Sequence, residues 1–246
     1  ALHESEAQFR SIFDHAPVGI ALVDRDGKPL LSNPALQQIL GYTGHELAAM
    51  PFTAFTHQQD RDKDLAQYER LYADEIQHYE METRYLHKNG QVIWGHLTVS
   101  MMRDDAGKPV SAIGMLMDIT KRREDLEQLR QAAAVFRSTS EGVVITDADT
   151  RILAVNRAFS EITGYSEAEI LGQTPRLLQS GHHDDAFFAA MWRSIQETDS
   201  WHGEIWNRRK NGEIYPEWLA ISTVRNEAGA LVNYVGVFSD ITTVKD

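Results

Sequence analysis

The sequence has no cysteine and fewer basic than acidic side chains, and both shortages exclude functions. Its 246 residues include 24 Lys and Arg against 36 Asp and Glu, a formal net charge of −12. Without a thiol the chain forms no disulfide, no thiolate metal site and no cysteine nucleophile. The acidic balance argues against binding of nucleic acid or an anionic membrane, because such surfaces are bound through clustered Lys and Arg.

Long apolar runs and catalytic motifs are also missing. The longest run, residues 110–117, is far shorter than the ~20 residues of a membrane span and predicts a buried strand. Residues 182–185 and His202 have ligand-type side chains but match no metal spacing, so no metal site is predicted. With no phosphate-binding glycine loop and no Ser-His-Asp arrangement, we expect this segment not to be an enzyme.

What the sequence does contain is a long internal repeat. Five landmarks recur in order at an offset of 122 or 123 residues. In the first copy they are the run ending at Asp24, Asn33, Gly41-Tyr42, residues 87–90 and Asp118-Ile119-Thr120. In the second copy they are the run ending at Asp147, Asn156, Gly164-Tyr165, residues 209–212 and Asp240-Ile241-Thr242. This period is too long for a solenoid. It predicts a duplicated domain of about 110 residues.

Each copy has the pattern of an α+β domain. Two short apolar runs joined by a turn precede a stretch of helical segments, and three further strands with hairpin connections follow. We expect a five-stranded antiparallel sheet with helices on one face. The predicted domains are 1–120, with an N-terminal helix, and 139–246, which ends in the start of an exit helix; a helical linker, 121–138, joins them.

The linker carries an apolar stripe. Leu126, Leu129, Ala133 and Phe136 step by three and four residues, which is typical of a coiled coil. Phe9, Ile12 and Phe13 form a similar face before the first copy. These stripes either pair in a homodimer or lie on their own domains.

The repeated residues resemble the PAS family of sensor domains. The early Asn33 and Asn156, the Gly-Tyr pairs, the basic-x-Asn-Gly hairpins and the closing Asp-Ile-Thr carry this resemblance, which spans residues of about 8 to 244. The resemblance implies a sensory, dimerising or ligand-binding role. It also implies that Asp118, Thr120, Asp240 and Thr242 pass a signal from the sheet to the outgoing helix.

The second copy resembles the FAD-binding redox-sensing PAS group. Residues 180–183, Met191-Trp192 and residues 201–212 carry this likeness, which implies that Trp192 and Asn207 contact the cofactor. We add four candidates, which are the amides Asn156 and Gln179, Trp206 for ring stacking, and Glu217. A photoreceptor of the light-oxygen-voltage type is not expected, because Pro175, Glu217 and Phe238 stand where that group has Cys, Asn and Gln.

Apolar side chains of the second copy are expected to form a slot for the flavin ring: Ile145, Leu153, Phe159, Ile162, Ile170, Leu177, Leu178, Leu219, Ile221 and Val237. The same residues also suit the core of a PAS domain with no ligand. An empty, structural pocket is therefore the alternative.

The first copy lacks the flavin markers. By the repeat offset, Tyr85 stands in place of Asn207 and Arg70 in place of Trp192. His57 and His78 flank a predicted helix and are weak candidates for haem ligands. No cofactor is predicted here, and we expect this copy to serve in dimerisation and relay or to bind an unidentified small ligand.

The resulting expectation is a cytoplasmic sensor module of a bacterial signalling protein, with no nucleic-acid or membrane contact. Its effector is expected to follow Asp246 and to be a GGDEF/EAL domain of cyclic-di-GMP metabolism or a histidine kinase. A ligand-free homodimerisation scaffold is the alternative.

Overall fold

A computed structural model describes residues 2–245, with side chains from 6 to 243. The chain divides into two compact units, residues 1–127 and 128–246. The boundary lies inside a helix.

The first unit is a five-stranded antiparallel sheet with helices. Its elements are α1 (Leu2–His15), β1 (Gly19–Val23), β2 (Pro29–Ser32), α2 (Pro34–Leu40), α3 (Gly44–Ala48), a 3-10 turn (Phe52–Ala54), α4 (Gln58–Tyr72), β3 (His78–Leu86), β4 (Val92–Arg103) and β5 (Pro109–Asp118), followed by α5 (Thr120–Ser138). The strand order is β2-β1-β5-β4-β3. Alternate residues of β3 are buried, as expected when helices cover one face of a sheet.

The second unit repeats this plan. Its elements are β6 (Gly142–Asp147), β7 (Ile152–Val155), α6 (Arg157–Thr163), α7 (Glu167–Ile170), a 3-10 turn (Pro175–Leu178), α8 (Asp185–Thr198), β8 (Ser200–Arg208), β9 (Ile214–Arg225), β10 (Leu231–Asp240) and α9 (Thr242–Lys245). The strand order, β7-β6-β10-β9-β8, is the same as in the first unit. The predicted fold class, two α+β domains with five-stranded antiparallel sheets, is confirmed.

The helix α5 begins at Thr120, after the last strand of the first unit, and ends at Ser138. It contains no buried residue, and Leu126 and Leu129 on its apolar stripe are exposed. In α1, Phe9 and Ile12 are exposed as well. No helix among residues 2–245 has the length and apolarity needed to cross a membrane.

The repeated asparagines tie the start of each domain together. The Asn33 side chain accepts hydrogen bonds from the amides of Ile20 and Leu36, at 2.8 and 2.9 Å, and donates to the carbonyls of Phe13 and Val18. It thereby caps α2 and joins it to β1. Because an amide offers both donor and acceptor, one buried side chain satisfies several backbone groups.

Asn156 does the same in the second unit. Its oxygen accepts from the amides of Val143 and Phe159, at 2.8 and 2.9 Å, and its nitrogen donates to the Glu141 carbonyl at 2.8 Å. The side chain is only 2% exposed. Asn156 is therefore a structural junction between β6 and α6.

The Gly-Tyr landmarks end the helices that these asparagines begin. Gly41 and Gly164 follow α2 and α6 with φ of 75° and 78°, a left-handed conformation that a side chain disfavours. After them, Tyr42 and Tyr165 lie near Lys88 and Lys210 of the late hairpins. The repeated Gly-Tyr pairs therefore mark the ends of α2 and α6 and the places where the late hairpins contact the residues after these helices.

We predict that Asn156→Ala lowers the free energy of unfolding of the second unit by about 2–4 kcal/mol, because it removes a helix cap and two further buried hydrogen bonds. Urea unfolding followed by tryptophan emission measures this, since four of the five tryptophans lie in this unit. Arg157→Ala is the matched control. It loses only an exposed ion pair with Glu161, worth about 0–1 kcal/mol. An equal loss in both variants would contradict the role given to Asn156.

Candidate functional site

The second unit contains a cavity of about 920 Å³ between its sheet and its helices. The strands β6, β8, β9 and β10 supply one wall, and α8 with the preceding 3-10 turn supplies the other. The lining residues are Val144, Thr146, Thr150, Thr174, Pro175, Arg176, Leu178, Gln179, Asp185, Phe188, Ala189, Met191, Trp192, Ile205, Asn207, Glu217, Leu219, Ile221, Tyr234, Gly236 and Phe238. This volume falls in the range of small-molecule and cofactor sites.

Two buried polar side chains lie together on the sheet wall of the cavity. The Asn207 side-chain nitrogen donates to Glu217 Oε1 at 2.8 Å, and the Tyr215 hydroxyl donates to Glu217 Oε2 at 2.7 Å. Glu217 is 1% exposed and Asn207 6%. The cavity is therefore apolar over most of its surface but has a hydrogen-bonding group at one place on the sheet.

Burial raises the pKa of Glu217 to about 7, although the hydrogen bonds from Tyr215 and Asn207 lower it. The Asp240 carboxylate raises this pKa further and the Arg209 guanidinium lowers it. Burial also raises the pKa of Tyr215 far above its usual range, so this phenol stays a donor. Glu217 is thus a carboxyl group that changes protonation near neutral pH.

Aromatic rings form the helix side of the cavity. The Trp192 ring on α8 meets Tyr234 of β10 edge to face, with centroids 5.4 Å apart. Phe188 and Met191 precede Trp192 on the same helix and also line the cavity. Such an apolar, aromatic wall suits a flat ring system.

A short segment, residues 179–183, lies between the 3-10 turn and α8 and borders the cavity at Gln179; we call it the clasp segment. Gln179 forms a backbone bridge with Asn207 of β8. The Ser180 hydroxyl donates to the carbonyl of Trp206, and His183 Nε2 accepts from the amide of Trp206 at 3.0 Å. These bonds fix the clasp segment to the edge strand of the sheet.

Four of the six predicted cofactor-binding residues line this cavity, namely Trp192, Asn207, Gln179 and Glu217. Asn156 does not, because its amide is used for the cap described above. Trp206 does not either. Successive side chains of a strand point to opposite faces, so Trp206 faces away from its neighbour Asn207; its indole donates to Glu204 and its ring stacks on His182.

Three of the ten residues predicted to form the apolar slot line the cavity, and Ile145, Ile162 and Val237 are among the seven that do not. Leu178, Leu219 and Ile221 line the cavity, whereas Leu153 and Leu177 are about half exposed and Phe159 and Ile170 lie in the closed core. The residues missed by the sequence analysis are aromatic or adjoin the carboxyl group, namely Phe188, Tyr215 and Tyr234. Tyr215, Glu217, Leu219 and Ile221 alternate along β9 and therefore lie on one face of the sheet. This alternation in the sequence could have identified the residues of the sheet wall.

The first unit has a cavity of only about 60 Å³ at the corresponding place. Tyr85 occupies the position of Asn207, as the repeat predicts, and its ring is buried. Gly95 occupies the position of Glu217, and a Cβ there would come within 2.9 Å of the Tyr85 ring. Phe52 and Tyr68 fill the remaining space, with ring centroids 5.0 Å apart. A cavity of this size has no room for a cofactor.

Other candidates in the first unit lie away from this cavity. Arg70, aligned with Trp192 by the repeat, pairs with Glu75 on the surface, and the residues of α4 that line the small cavity are Asp64 and Tyr68. His57 caps α4 by accepting from the Gln59 amide, and His78 is exposed. Neither histidine is placed as a haem ligand.

The four predicted relay residues lie where each sheet ends. Asp118 Oδ1 accepts from the Thr120 amide at 2.8 Å, and the Thr120 hydroxyl accepts from the Trp94 amide of β4 at 2.9 Å. Asp240 Oδ1 accepts from the amide and the hydroxyl of Thr242, at 2.9 and 2.6 Å. Each pair fixes the first turn of the outgoing helix to the sheet.

We predict that the second unit loses stability as pH rises through the window from 4.5 to about 7. The unfolded chain ionises Glu217 near the ordinary value of 4.5, whereas the folded chain keeps the proton to about 7. The unfolded state then binds fewer protons, so the free energy of unfolding falls, by about 3 kcal/mol in total.

Urea unfolding across this window measures the decline, and Glu217→Gln should flatten it because the amide does not titrate. The control Glu227→Gln changes an exposed carboxylate and should keep the decline of the parent chain. A Glu217→Gln curve parallel to that of the parent would refute the prediction.

Comparison with known proteins agrees with this architecture. A family model described as a PAS fold matches residues 7–119, and another described as a PAS domain matches residues 140–243. The chain is 38% identical over 146 residues to the probable diguanylate cyclase DgcE of Escherichia coli, with 58% of this chain and 13% of that protein covered.

Two further relatives are regulators. The sensor histidine kinase TmoS of Ectopseudomonas mendocina is 34% identical over 58% of this chain and 15% of its own length. A nitrogen fixation regulatory protein of Klebsiella oxytoca is 32% identical over 59% of this chain and 28% of its own length. The chain thus spans less than a third of each of these relatives. Since the two family matches cover both sheet-and-helix units, the chain belongs to the PAS family, as a tandem pair of PAS domains.

Proposed function

We propose that this chain is the sensory and dimerisation module of a bacterial signal-transduction protein, and that its second PAS domain binds FAD and reads redox state. The observation that carries the proposal is the 920 Å³ cavity lined by Trp192, Gln179, Asn207 and Glu217. In this view the segment itself is not catalytic. It reports on what its cavity holds.

The residues present fit a flavin. Its ring system is flat and apolar on both faces and carries hydrogen-bonding atoms along one edge. The cavity offers Trp192, Tyr234 and Leu219 for the faces, and the side chains on the sheet for the edge. Asn207 and Glu217 bond to each other, and since an amide and a carboxyl group each offer more than one hydrogen-bonding site, a ligand with polar atoms along one edge can share them.

FAD would supply reversible electron transfer that changes a ring nitrogen from hydrogen-bond acceptor to donor. Asn207 suits this change, because its amide offers a donor and an acceptor at one tip. The side chain has to turn when the ligand changes, since a buried hydrogen bond left unmade costs about 1–3 kcal/mol. That energy is of the size of typical couplings between sites.

The effector proposed to follow the module is a cyclic-di-GMP enzyme with GGDEF or EAL domains, or a histidine kinase. The names of two relatives, a probable diguanylate cyclase and a sensor histidine kinase, support this choice. Both kinds of effector use nucleoside triphosphates or products made from them. Because these compounds are found in the cytoplasm, we propose that the module lies there. The relay in each domain would pass through Asp118 and Thr120, and through Asp240 and Thr242.

A second candidate function is a ligand-free homodimerisation scaffold. The filled cavity of the first domain and the exposed apolar residues of α1 and α5 favour this role for that domain. In both proposals the first domain contributes dimer contacts and passes the signal to its outgoing helix. The proposals differ only in whether the cavity of the second domain binds a ligand.

We predict that the protein is yellow as isolated, and that Asn207→Ala and Trp192→Ala each weaken flavin binding about 5- to 150-fold, which corresponds to 1–3 kcal/mol. Absorption spectra and titration with FAD measure this. Trp218→Ala is the matched control, because that ring is half exposed on β9 and does not line the cavity. Full flavin occupancy in both cavity variants would defeat the site, and a colourless protein that takes up no FAD would favour the scaffold.

We predict that the chain is a dimer and that Leu129→Glu shifts it toward monomer by at least tenfold in dissociation constant, since a buried charge without a partner is costly. Light scattering after size-exclusion chromatography measures the mass. Gln128→Glu adds the same charge to α5 beside the apolar stripe and should leave the dimer intact. Equal behaviour of the two variants would contradict the role of this stripe.

A further inference from the structure

A connected series of side chains leads from the cavity of the second domain to its exit helix. Asn207 and Tyr215 both donate to the carboxyl group of Glu217. The Arg209 guanidinium lies 3.9 Å from the centroid of the Tyr215 ring and pairs with Asp240. Asp240 in turn holds the first turn of α9. Each neighbour in the series is in direct contact with the next.

The first of these contacts fixes the direction of the Asn207 amide. An ionised carboxylate only accepts hydrogen bonds, so Asn207 must turn its nitrogen toward Glu217 and its oxygen elsewhere. A protonated carboxyl group has a hydroxyl that donates, and it allows the amide to face it with its oxygen. The proton on Glu217 therefore determines which hydrogen-bonding atom Asn207 directs into the cavity.

The second contact carries the same change away from the cavity. Tyr215 is fully buried and donates to the oxygen of Glu217 that Asn207 does not use. A change in charge on Glu217 alters the strength of this bond, because hydrogen bonds to ionised acceptors are shorter and stronger. The Tyr215 ring lies against Arg209, which is the cation paired with Asp240.

The charged and titratable groups around Glu217 come from every element packed against it. On its own strand there is Tyr215, on the neighbouring β10 there is Asp240, directly opposite in register, and from the β8–β9 turn there is Arg209. Across the cavity, Arg176 and Asp185 belong to the helix wall. Burial outweighs these neighbours and raises the pKa of Glu217 to about 7, so both proton states occur near neutral pH.

The first domain is an internal control for this series. At the equivalent positions it has Gly95 for Glu217, Ile93 for Tyr215 and His87 for Arg209. Glycine and isoleucine offer no side-chain hydrogen bond, so the series cannot form there. Asp118 and Thr120 are nevertheless paired like Asp240 and Thr242. The series is thus an addition to the second domain, which is the one with the large cavity.

We propose that Glu217 is a positioning residue that sets the orientation of the Asn207 amide and transmits the state of the ligand through Tyr215 and Arg209 to Asp240 and the exit helix. This inference rests on the proposed ligand-binding function of the cavity. It names the ligand class more closely, as a heteroaromatic ring with one edge atom that changes between hydrogen-bond acceptor and donor, as in a flavin. A ligand that accepts a hydrogen bond at this atom needs the Asn207 nitrogen, so it favours protonated Glu217. A ligand that donates at this atom needs the Asn207 oxygen, so it favours ionised Glu217.

The first experiment uses the whole chain without ligand. Infrared difference spectra between mildly acidic and mildly basic solution detect the carbonyl band of a buried carboxylic acid. We expect a band that disappears on the basic side and is absent from Glu217→Gln. The control Glu213→Gln changes an exposed carboxylate on the same hairpin and should retain the band. A band that persists in Glu217→Gln would overturn the inference.

The second experiment follows the exit helix by hydrogen exchange of residues 240–243. In the parent chain, exchange in this segment should change at least threefold between the two proton states of Glu217. Tyr215→Phe keeps Glu217 and Asn207 but breaks the series, so the infrared band should remain while the change in exchange is lost. An unaltered pH response of the segment in Tyr215→Phe would overturn the relay.

The third experiment adds FAD as the probe. The ratio of affinities for oxidised and reduced FAD should change with pH, by at most about tenfold per pH unit, in the range between the pKa values that Glu217 has in the two complexes. Glu217→Gln should lose this contribution, because the amide does not titrate. Binding without any such difference between the two proteins would contradict the inference. If FAD does not bind at all, the proposed function fails, while the first two experiments still decide whether Glu217 controls the exit helix.

Discussion

The close packing of side chains over one glycine distinguishes the interior of the first domain from that of the second. A Cβ on Gly95 would collide with Leu116 and come within 2.9 Å of the Tyr85 ring, so the absence of a side chain lets both groups pack over this point of the sheet. In the second domain Glu217 stands at the glycine position and Asn207 at the tyrosine position, and both line the cavity. Interiors are close-packed, so a ring in contact with the sheet helps to fill the first domain, whereas two smaller polar side chains leave space in the second.

The two domains therefore share a backbone plan and differ in what the plan encloses. Phe52 and Tyr68 complete the filling of the first domain, whereas Pro175 and Gln179 border open space in the second. The buried core residues of the second domain that do not line its cavity include Ile152, Phe159 and Ile170.

The sequence was informative wherever a local rule fixes a residue. The Asn, Gly and Asp-Ile-Thr landmarks predicted the duplicated fold, because each ends or begins an element and tolerates few substitutes. Asn207 and Glu217 could be grouped because they lie on adjacent strands. Asn156 was misassigned as a ligand contact, since a pattern does not show that an amide is already occupied by backbone groups.

The remaining errors have equally physical causes. Trp206 alternates with Asn207 along β8, and the two cannot face the same side of the sheet. Arg70 was paired with Trp192 because the offset of 122 residues holds for the strands that begin at His78 and Ser200, whereas the long helices before them begin 127 residues apart, at 58 and 185. Tyr215 was missed because its role depends on reaching past Asn207 to a carboxyl group on its own strand. These facts become visible only with the register of β8 and β9 and the packing of α8.

The clasp segment joins the approach to α8 to the edge strand of the sheet. It is held there by a backbone bridge at Gln179, by the Ser180 hydroxyl and by the imidazole of His183. The bond from the Trp206 amide requires a His183 Nε2 atom without a proton, so protonation of this imidazole in acid breaks one of the three attachments. The end of the segment next to α8 is therefore the end that acid releases from the sheet, while the attachments at Gln179 and Ser180 remain.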